Sequence, residues 1–202
     1  IFDRSNWTIV TSYEGATDAT IGGNMPEYII DGSTTTAFAF VKPGKTFGDI
    51  TVTENSVPSF TIDMKEQKTF NSVSYMHRTG NTSEYIRARQ ISVYGSNNGT
   101  DFTVLNGHHL IDYVKNDNEI IVTFPAVSFR YVRVVIEDWN KDSGSTIQVA
   151  DCKIGTRAEA IEYPIPDPIK FKVNVTADAD IISSQKGIHW ENEDSYFSIN
   201  FT

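Results

Sequence analysis

The stretch that decides the fold class is Arg130-Tyr131-Val132-Arg133-Val134-Val135-Ile136. From Val132 on, its even-numbered residues are valine or isoleucine, whereas its odd-numbered residues include Tyr131 and Arg133. Successive side chains of an extended strand point to opposite faces, so this alternation predicts a β-strand with one buried face. Branched and aromatic side chains also pack well on a pleated sheet.

Similar short runs recur along the chain between clusters of glycine, asparagine, aspartate, serine and proline. The predicted strands are residues 7–12, 59–64, 72–77, 90–96, 119–125, 130–137 and 147–154. Asn97-Asn98-Gly99 predicts a hairpin turn, because asparagine and glycine tolerate positive φ. Several short strands without an intervening helical period are typical of an all-β sandwich or barrel.

The composition limits the classes of function. A formal charge of -9 argues against a nucleic-acid binder, which needs clustered lysine and arginine. It also disfavours docking on anionic lipid, while calcium would be electrostatically favoured. No run of about 18 apolar residues is present, so we do not expect membrane insertion. A signal peptide is not expected within these residues either, since no charged segment followed by an apolar one opens the chain.

The C-terminal part differs in character from the rest. Three prolines at alternate positions, Pro164, Pro166 and Pro168, favour an extended linker. We therefore expect a β-sandwich domain over 1–157, a proline-rich linker over 158–170 and a β-rich tail over 171–202. The tail is too short for an independent core, so it packs on the sandwich, pairs with another chain or begins a truncated second domain.

Six motifs in order across residues 3–156 resemble the discoidin-like family of coagulation factor 5/8 type C domains, closest in character to bacterial family 32 carbohydrate-binding modules. They are residues 3–7, 30–38, 60–64, 75–78 with 91–99, 129–133 and 149–155. The loop 30–38 resembles the family's Asp-Gly-x-x-x-Thr-x-Trp, with Phe38 in place of the usual tryptophan. The resemblance implies a galactose-binding-like jelly-roll sandwich of about eight antiparallel strands. The single cysteine, Cys152, excludes the terminal disulfide of the family's animal members and points to a bacterial origin.

The resemblance also implies a structural calcium, held by the Asp-Gly loop and an acidic residue on the last strand. The matched positions are Asp31, Ser33, Thr36 and Asp151. Calcium favours six to eight oxygens in a flexible geometry, and a turn rich in carbonyls and hydroxyls offers many of them. The alternative is an Asp-Gly turn capped by its own side chain, without a metal.

In such modules the sugar lies on loops at one end of the sandwich. An aromatic ring stacks on the apolar face of the sugar while fixed polar groups recognise its hydroxyls. The candidates on these loops are His77, Arg78, Asn81, Tyr85, Arg87, Trp139 and Asn140, of which Arg78, Arg87 and Trp139 fall at positions where the family often has such residues. Two alternatives remain open: Arg78 and Arg87 form structural ion pairs with Glu84 or Asp63, and Trp139 caps the end of the core.

No catalytic motif is present, so we do not expect an enzyme. The leading hypothesis is a non-catalytic module that binds galactose- or N-acetylhexosamine-type glycans. We expect it to be secreted or held at the cell surface or in the periplasm. Its expected partners are other domains of a larger glycan-processing protein. The second hypothesis is a protein-interaction or adhesion module of the same fold, in which the alternating tail pairs with a partner chain.

Overall fold

The computed structural model describes residues 2–17, 24–79, 84–110 and 118–158, with the backbone alone for 107–110. The described residues form nine antiparallel strands and two short 3-10 helices, Pro26–Ile30 and Glu84–Ile86. The strands are β1 (Thr8–Thr11), β2 (Phe38–Val41), β3 (Thr46–Phe47), β4 (Ile50–Thr51), β5 (Ser59–His77), β6 (Ala88–Ser96), β7 (Thr103–Leu110), β8 (Glu119–Trp139) and β9 (Thr146–Gly155). The all-β prediction is confirmed.

Two long strands, β5 and β8, run through the whole domain. The first part of β5, residues 59–63, pairs with β1 and with residues 131–135 of β8. Its second part, residues 72–77, pairs with β9 and with residues 119–123 of β8. The register shifts between these parts, and such irregularities bend a strand. Each long strand therefore contributes to both halves of the sandwich.

These bends explain one error of the sequence analysis. Residues 59–64 and 72–77 are one strand, not two, and so are 119–125 and 130–137. Strict alternation is lost where the register shifts, so each strand looks interrupted in the sequence. The main sheet has the order β2-β9-β5-β8-β6-β7, and β1 pairs with the first part of β5. β3 and β4 form a separate hairpin.

The core contains the face predicted from β8. Val132 and Val134 are fully buried, and Ile136 is nearly so. They pack in one cluster with apolar side chains from both parts of β5 and from β9. Burying each such side chain stabilises the fold by roughly 1.5–3 kcal/mol. Cys152 is also buried, and burial raises the pKa of its thiol, so it is a core residue.

The sequence analysis missed β2, β7 and the two short strands β3 and β4. All four residues of β2 are buried, so this strand shows no alternation of apolar and polar residues. The predicted hairpin turn at residues 97–99 is confirmed, because β6 and β7 pair on either side of it. The tail 171–202 and all of the linker beyond Ala158 lie outside the described residues. Among those that are described, no helix has the length and apolar character needed to cross a membrane.

Candidate functional site

Two loops at one end of the sandwich are bonded to each other. They are residues 84–89, which lead into β6, and residues 139–146, which join β8 to β9. Nδ2 of Asn140 donates to Oε2 of Glu84 at 2.7 Å. The other carboxylate oxygen of Glu84 accepts from Arg89. Asn140 and Arg89 hold the pKa of Glu84 below its usual range, so the carboxylate stays charged at neutral pH.

The ring of Tyr85 lies directly on Gly144. A Cβ placed on Gly144 would be 2.5 Å from Cδ2 of the tyrosine, and the glycine has φ +72°. Only glycine fits both this contact and this backbone conformation without strain. Tyr85 remains 39% exposed, so its ring is supported from one side and open to solvent on another.

Lys42 lies beneath both loops. It follows β2 and its side chain is fully buried. Nζ donates to the backbone carbonyls of Tyr85, Asn140 and Ser143, each at 2.6 Å. Burial lowers the pKa of Lys42 to about 8, whereas the nearby Glu84 favours its charged form. The sequence analysis missed this residue, and the only signal for it was a lysine directly after four apolar residues.

Trp139 ends β8 beside the same loops, because it pairs with Ala88 at the start of β6. It is half-buried and packs against the main core. Nζ of Lys141 lies 5.9 Å from the centre of its ring. Part of the tryptophan still reaches the surface, and its stacking on a sugar stays a prediction.

Arg78 lies towards β9. Its Nη1 donates to Oε1 of Gln148 at 3.2 Å, and the side chain is half-buried. The next residue, Thr79, bonds through its backbone to the carbonyl of Thr34 in the Asp-Gly loop. Asn81, the other candidate of this segment, lies outside the described residues.

His77 and Arg87 are inside the protein. His77 has no exposed surface, and Arg87 is 2% exposed with Nη2 donating to Oδ1 of Asn118. Burial, aided by the charge of Arg87, lowers the pKa of His77 to about 3, so its ring is neutral. Neither side chain offers surface to a ligand in this arrangement. Among the described residues, Glu84 pairs with Arg89, and Asp63 pairs with Arg130.

The Asp-Gly turn is capped by its own side chain. Oδ1 of Asp31 accepts from the backbone N–H of Ser33 at 2.7 Å, and Oδ2 accepts from the hydroxyl of Thr36 at 2.8 Å. Both carboxylate oxygens are therefore used within the turn. This agrees with the metal-free alternative of the sequence analysis.

Asp151 is paired with an arginine. Nη1 of Arg4 lies 2.6 Å from Oδ1 of Asp151 and also donates to the carbonyl of Cys152. Nη2 of Arg4 is close to the turn, since a Cβ placed on Gly32 would lie 3.3 Å from it. The guanidinium thus lies between the Asp-Gly turn and the last strand.

The side chains of these residues leave few free oxygens for a calcium ion. Oδ2 of Asp151 is buried without a hydrogen-bond partner among the described residues, whereas a calcium ion takes six to eight oxygens. A cation bound there would also lie beside the charge of Arg4. No group of three or more histidine, cysteine, aspartate or glutamate side chains in the described part could hold a metal. Calcium stays a prediction from the resemblance alone.

Two grooves of the described residues lie elsewhere. One of about 210 Å³ is lined by residues including Ser74, Glu119 and Arg157, and another of about 250 Å³ by residues including Thr8, Asp63 and Tyr131. Neither is lined by a predicted ligand residue. We refer to the surface formed by Tyr85, Trp139 and the two loops as the platform.

Comparison with known proteins agrees with this architecture. Solved structures with the same fold include the module CpGH89CBM32-5 from Clostridium perfringens, in complex with GalNAc-β-1,3-galactose, at 15% identity and a TM-score of 0.58 over 75% of this chain and 96% of that one. The C-terminal domain of a chitobiase from Bacteroides fragilis is 17% identical, with a TM-score of 0.58 over 76% of this chain and 95% of that one. The family 32 module of NanJ from Clostridium perfringens, in complex with galactose, is 16% identical, with a TM-score of 0.55 over 75% and 94% of the two chains.

No curated protein sequence matches the chain at a significant level. The model of the F5/8 type C domain matches residues 5–149, which is most of the sequence. Those residues cover the strands from β1 into β9 and both loops of the platform. The chain belongs to the F5/8 type C domain family.

Proposed function

We propose that this chain is a non-catalytic carbohydrate-binding module that holds a glycan on the platform formed by residues 84–89 and 139–146. The observation that carries the proposal is the exposed Tyr85, whose ring packs on Gly144 in the loop that begins at Trp139. Flat rings bind the apolar C–H face of a sugar. Arg89 and Asn140, both bonded to Glu84, supply fixed hydrogen-bonding groups in the same two loops that can distinguish hydroxyl positions.

The ligand is proposed to be a galactose- or N-acetylhexosamine-type glycan. Two structures of the same fold contain such sugars, GalNAc-β-1,3-galactose and galactose. Sequence identities of 15% and 16% support the fold alone, so the choice of sugar is part of the proposal. The formal charge of -9 favours neutral over acidic glycans. Such a role suits a secreted, periplasmic or cell-surface location beside other domains of a glycan-processing protein.

Titration calorimetry with galactose, N-acetylgalactosamine, N-acetylglucosamine and mannose tests the proposal. We expect at least one of the first three sugars to bind, and we expect Tyr85→Ala and Trp139→Ala to bind it more weakly. Arg78→Ala tests whether the ligand also reaches the side of the platform nearer β9. Tyr94→Ala is the matched control, because Tyr94 is half-buried on β6 away from the platform. Absence of binding to every sugar, or equal binding by the wild type and both platform variants, would refute the proposal.

The protein-interaction alternative depends on the tail 171–202, which lies outside the described residues. It stays a prediction. Deletion of residues 164–202 is its test, since a partner that still binds the shortened chain with equal affinity does not use the tail.

A further inference from the structure

The ammonium of Lys42 is a buried cation that connects the two loops of the platform. An ammonium group has three N–H donors, and here each finds a backbone carbonyl, two of them from residues 139–146 and one from Tyr85. The donors of Lys42 are therefore fully used by the loops. We propose that Lys42 is a positioning residue that sets the glycan-binding platform in its binding arrangement before a ligand arrives. The inference rests on the proposed function.

The physical reason is the convergence of three carbonyl oxygens. Their partial negative charges repel one another, and each carbonyl left without a donor in a buried place costs about 1–3 kcal/mol. Without the ammonium, the loops regain hydrogen bonds only by turning these carbonyls towards water. That movement would displace Tyr85 from Gly144 and break the bond between Asn140 and Glu84.

The neighbouring charges are consistent with a charged Lys42 at neutral pH. Glu84 lies close enough to favour the ammonium, and the more distant effects of Lys45 and Arg89 oppose it. The three carbonyl oxygens also stabilise the charged form. Lys42 thus acts on the backbone of both loops, whereas Tyr85 and Trp139 present the surface that meets the sugar.

A platform fixed in advance binds more tightly, because the ligand does not have to order the loops. The test is Lys42→Met, which keeps the buried volume nearly constant and removes the charge and all three donors. Lys45→Met is the matched control, since it makes the same chemical change at an exposed position three residues away. Both variants are compared with the wild type by calorimetry with the tightest-binding sugar and by hydrogen exchange followed by mass spectrometry.

We expect Lys42→Met to weaken sugar binding about tenfold or more, which corresponds to about 1.4 kcal/mol. Amide exchange is expected to quicken in residues 84–89 and 139–146, while exchange in β5 and β8 stays slow. Lys45→Met should match the wild type in both measurements. A merely structural lysine would lower the melting temperature and quicken exchange throughout, without selecting the loops.

Two results would overturn the inference. One is a Lys42→Met protein that binds sugar within about twofold of the wild type. The other is a variant that does not fold at all, because Lys42 would then be holding the sandwich and not its loops. If the wild type binds no sugar, the proposed function fails, but loop-specific exchange in Lys42→Met still decides whether Lys42 positions the platform.

Discussion

Replacing Arg4 by methionine tests how much the bond between the start of the domain and its last strand contributes to stability. Arg4 precedes β1 and bonds to Asp151 and Cys152 in the last strand. The side chain of Asp151 has no exposed surface, and that of Arg4 is 14% exposed. Removing one partner of a buried ion pair costs about 3–5 kcal/mol, because the remaining charge is buried without compensation. For a domain of this size each kcal/mol lowers the melting temperature by about 2–4 °C, so we expect a decrease of roughly 6–20 °C.

Scanning calorimetry at neutral pH measures this decrease. The double variant Arg4→Met with Asp151→Asn should recover part of the lost stability, since the uncompensated charge is removed with its partner. Lys141→Met is the control, because its ion pair with Asp138 spans 3.7 Å at the surface and is expected to contribute less than about 1 kcal/mol. A decrease for Arg4→Met no larger than that of the control would refute the reasoning.

The same assay shows whether Arg4 or a calcium ion supplies the positive charge beside Asp151. If Arg4 supplies the positive charge beside Asp151, the melting temperature of the wild type should not change with excess calcium or with EDTA. A calcium site at a free concentration one hundred times its Kd would add about 2.7 kcal/mol, which is several degrees. A shift of that size on adding calcium would show that the ion, and not the guanidinium alone, neutralises this part of the fold.

Three further predictions concern single residues. The folded-state pKa of His77, lowered to about 3 from 6.5, predicts stability that is fully present above pH 6.5 and lost as the pH falls towards 3. The free energy of unfolding should fall by roughly 1.4 kcal/mol per pH unit, and urea unfolding between pH 6.5 and 4.5 measures this slope. His77→Phe should flatten the slope, and equal slopes in the two proteins would contradict this origin. Gly144→Ala places a methyl group against Tyr85 at a position with φ +72°, so sugar binding should weaken. Amide hydrogen exchange in β5 and β8 should stay slow. Unchanged sugar affinity would show that this contact is unimportant for the platform. The thiol of Cys152 should react with Ellman's reagent only after denaturant is added, because it is buried and its pKa is raised, and rapid reaction of the native protein would be inconsistent with that burial.

The sequence predicted the fold class and much of the strand order, because alternation and turn chemistry are local properties. The apolar face of β8 and the hairpin after β6 follow directly from adjacent residues. It did not predict that residues 59–77 form one strand, since the register shifts in β5 depend on pairing with a distant strand. Trp139 was predicted as a ligand residue from the resemblance and Tyr85 from its place in a loop, and the structure brings both to the same end of the domain.

The bonds that organise both ends of the domain required the tertiary structure. The ion pair of Arg4 and Asp151 joins residues 147 positions apart, and Lys42 reaches carbonyls 43 to 101 positions away. A carbonyl exists at every residue, so no sequence pattern marks those that a lysine will bind. The sequence by itself therefore determined a β-sandwich of the F5/8 type C domain family with aromatic end loops. Only the folded chain decided which cations hold these loops and the chain ends, because that depends on which charges become buried together.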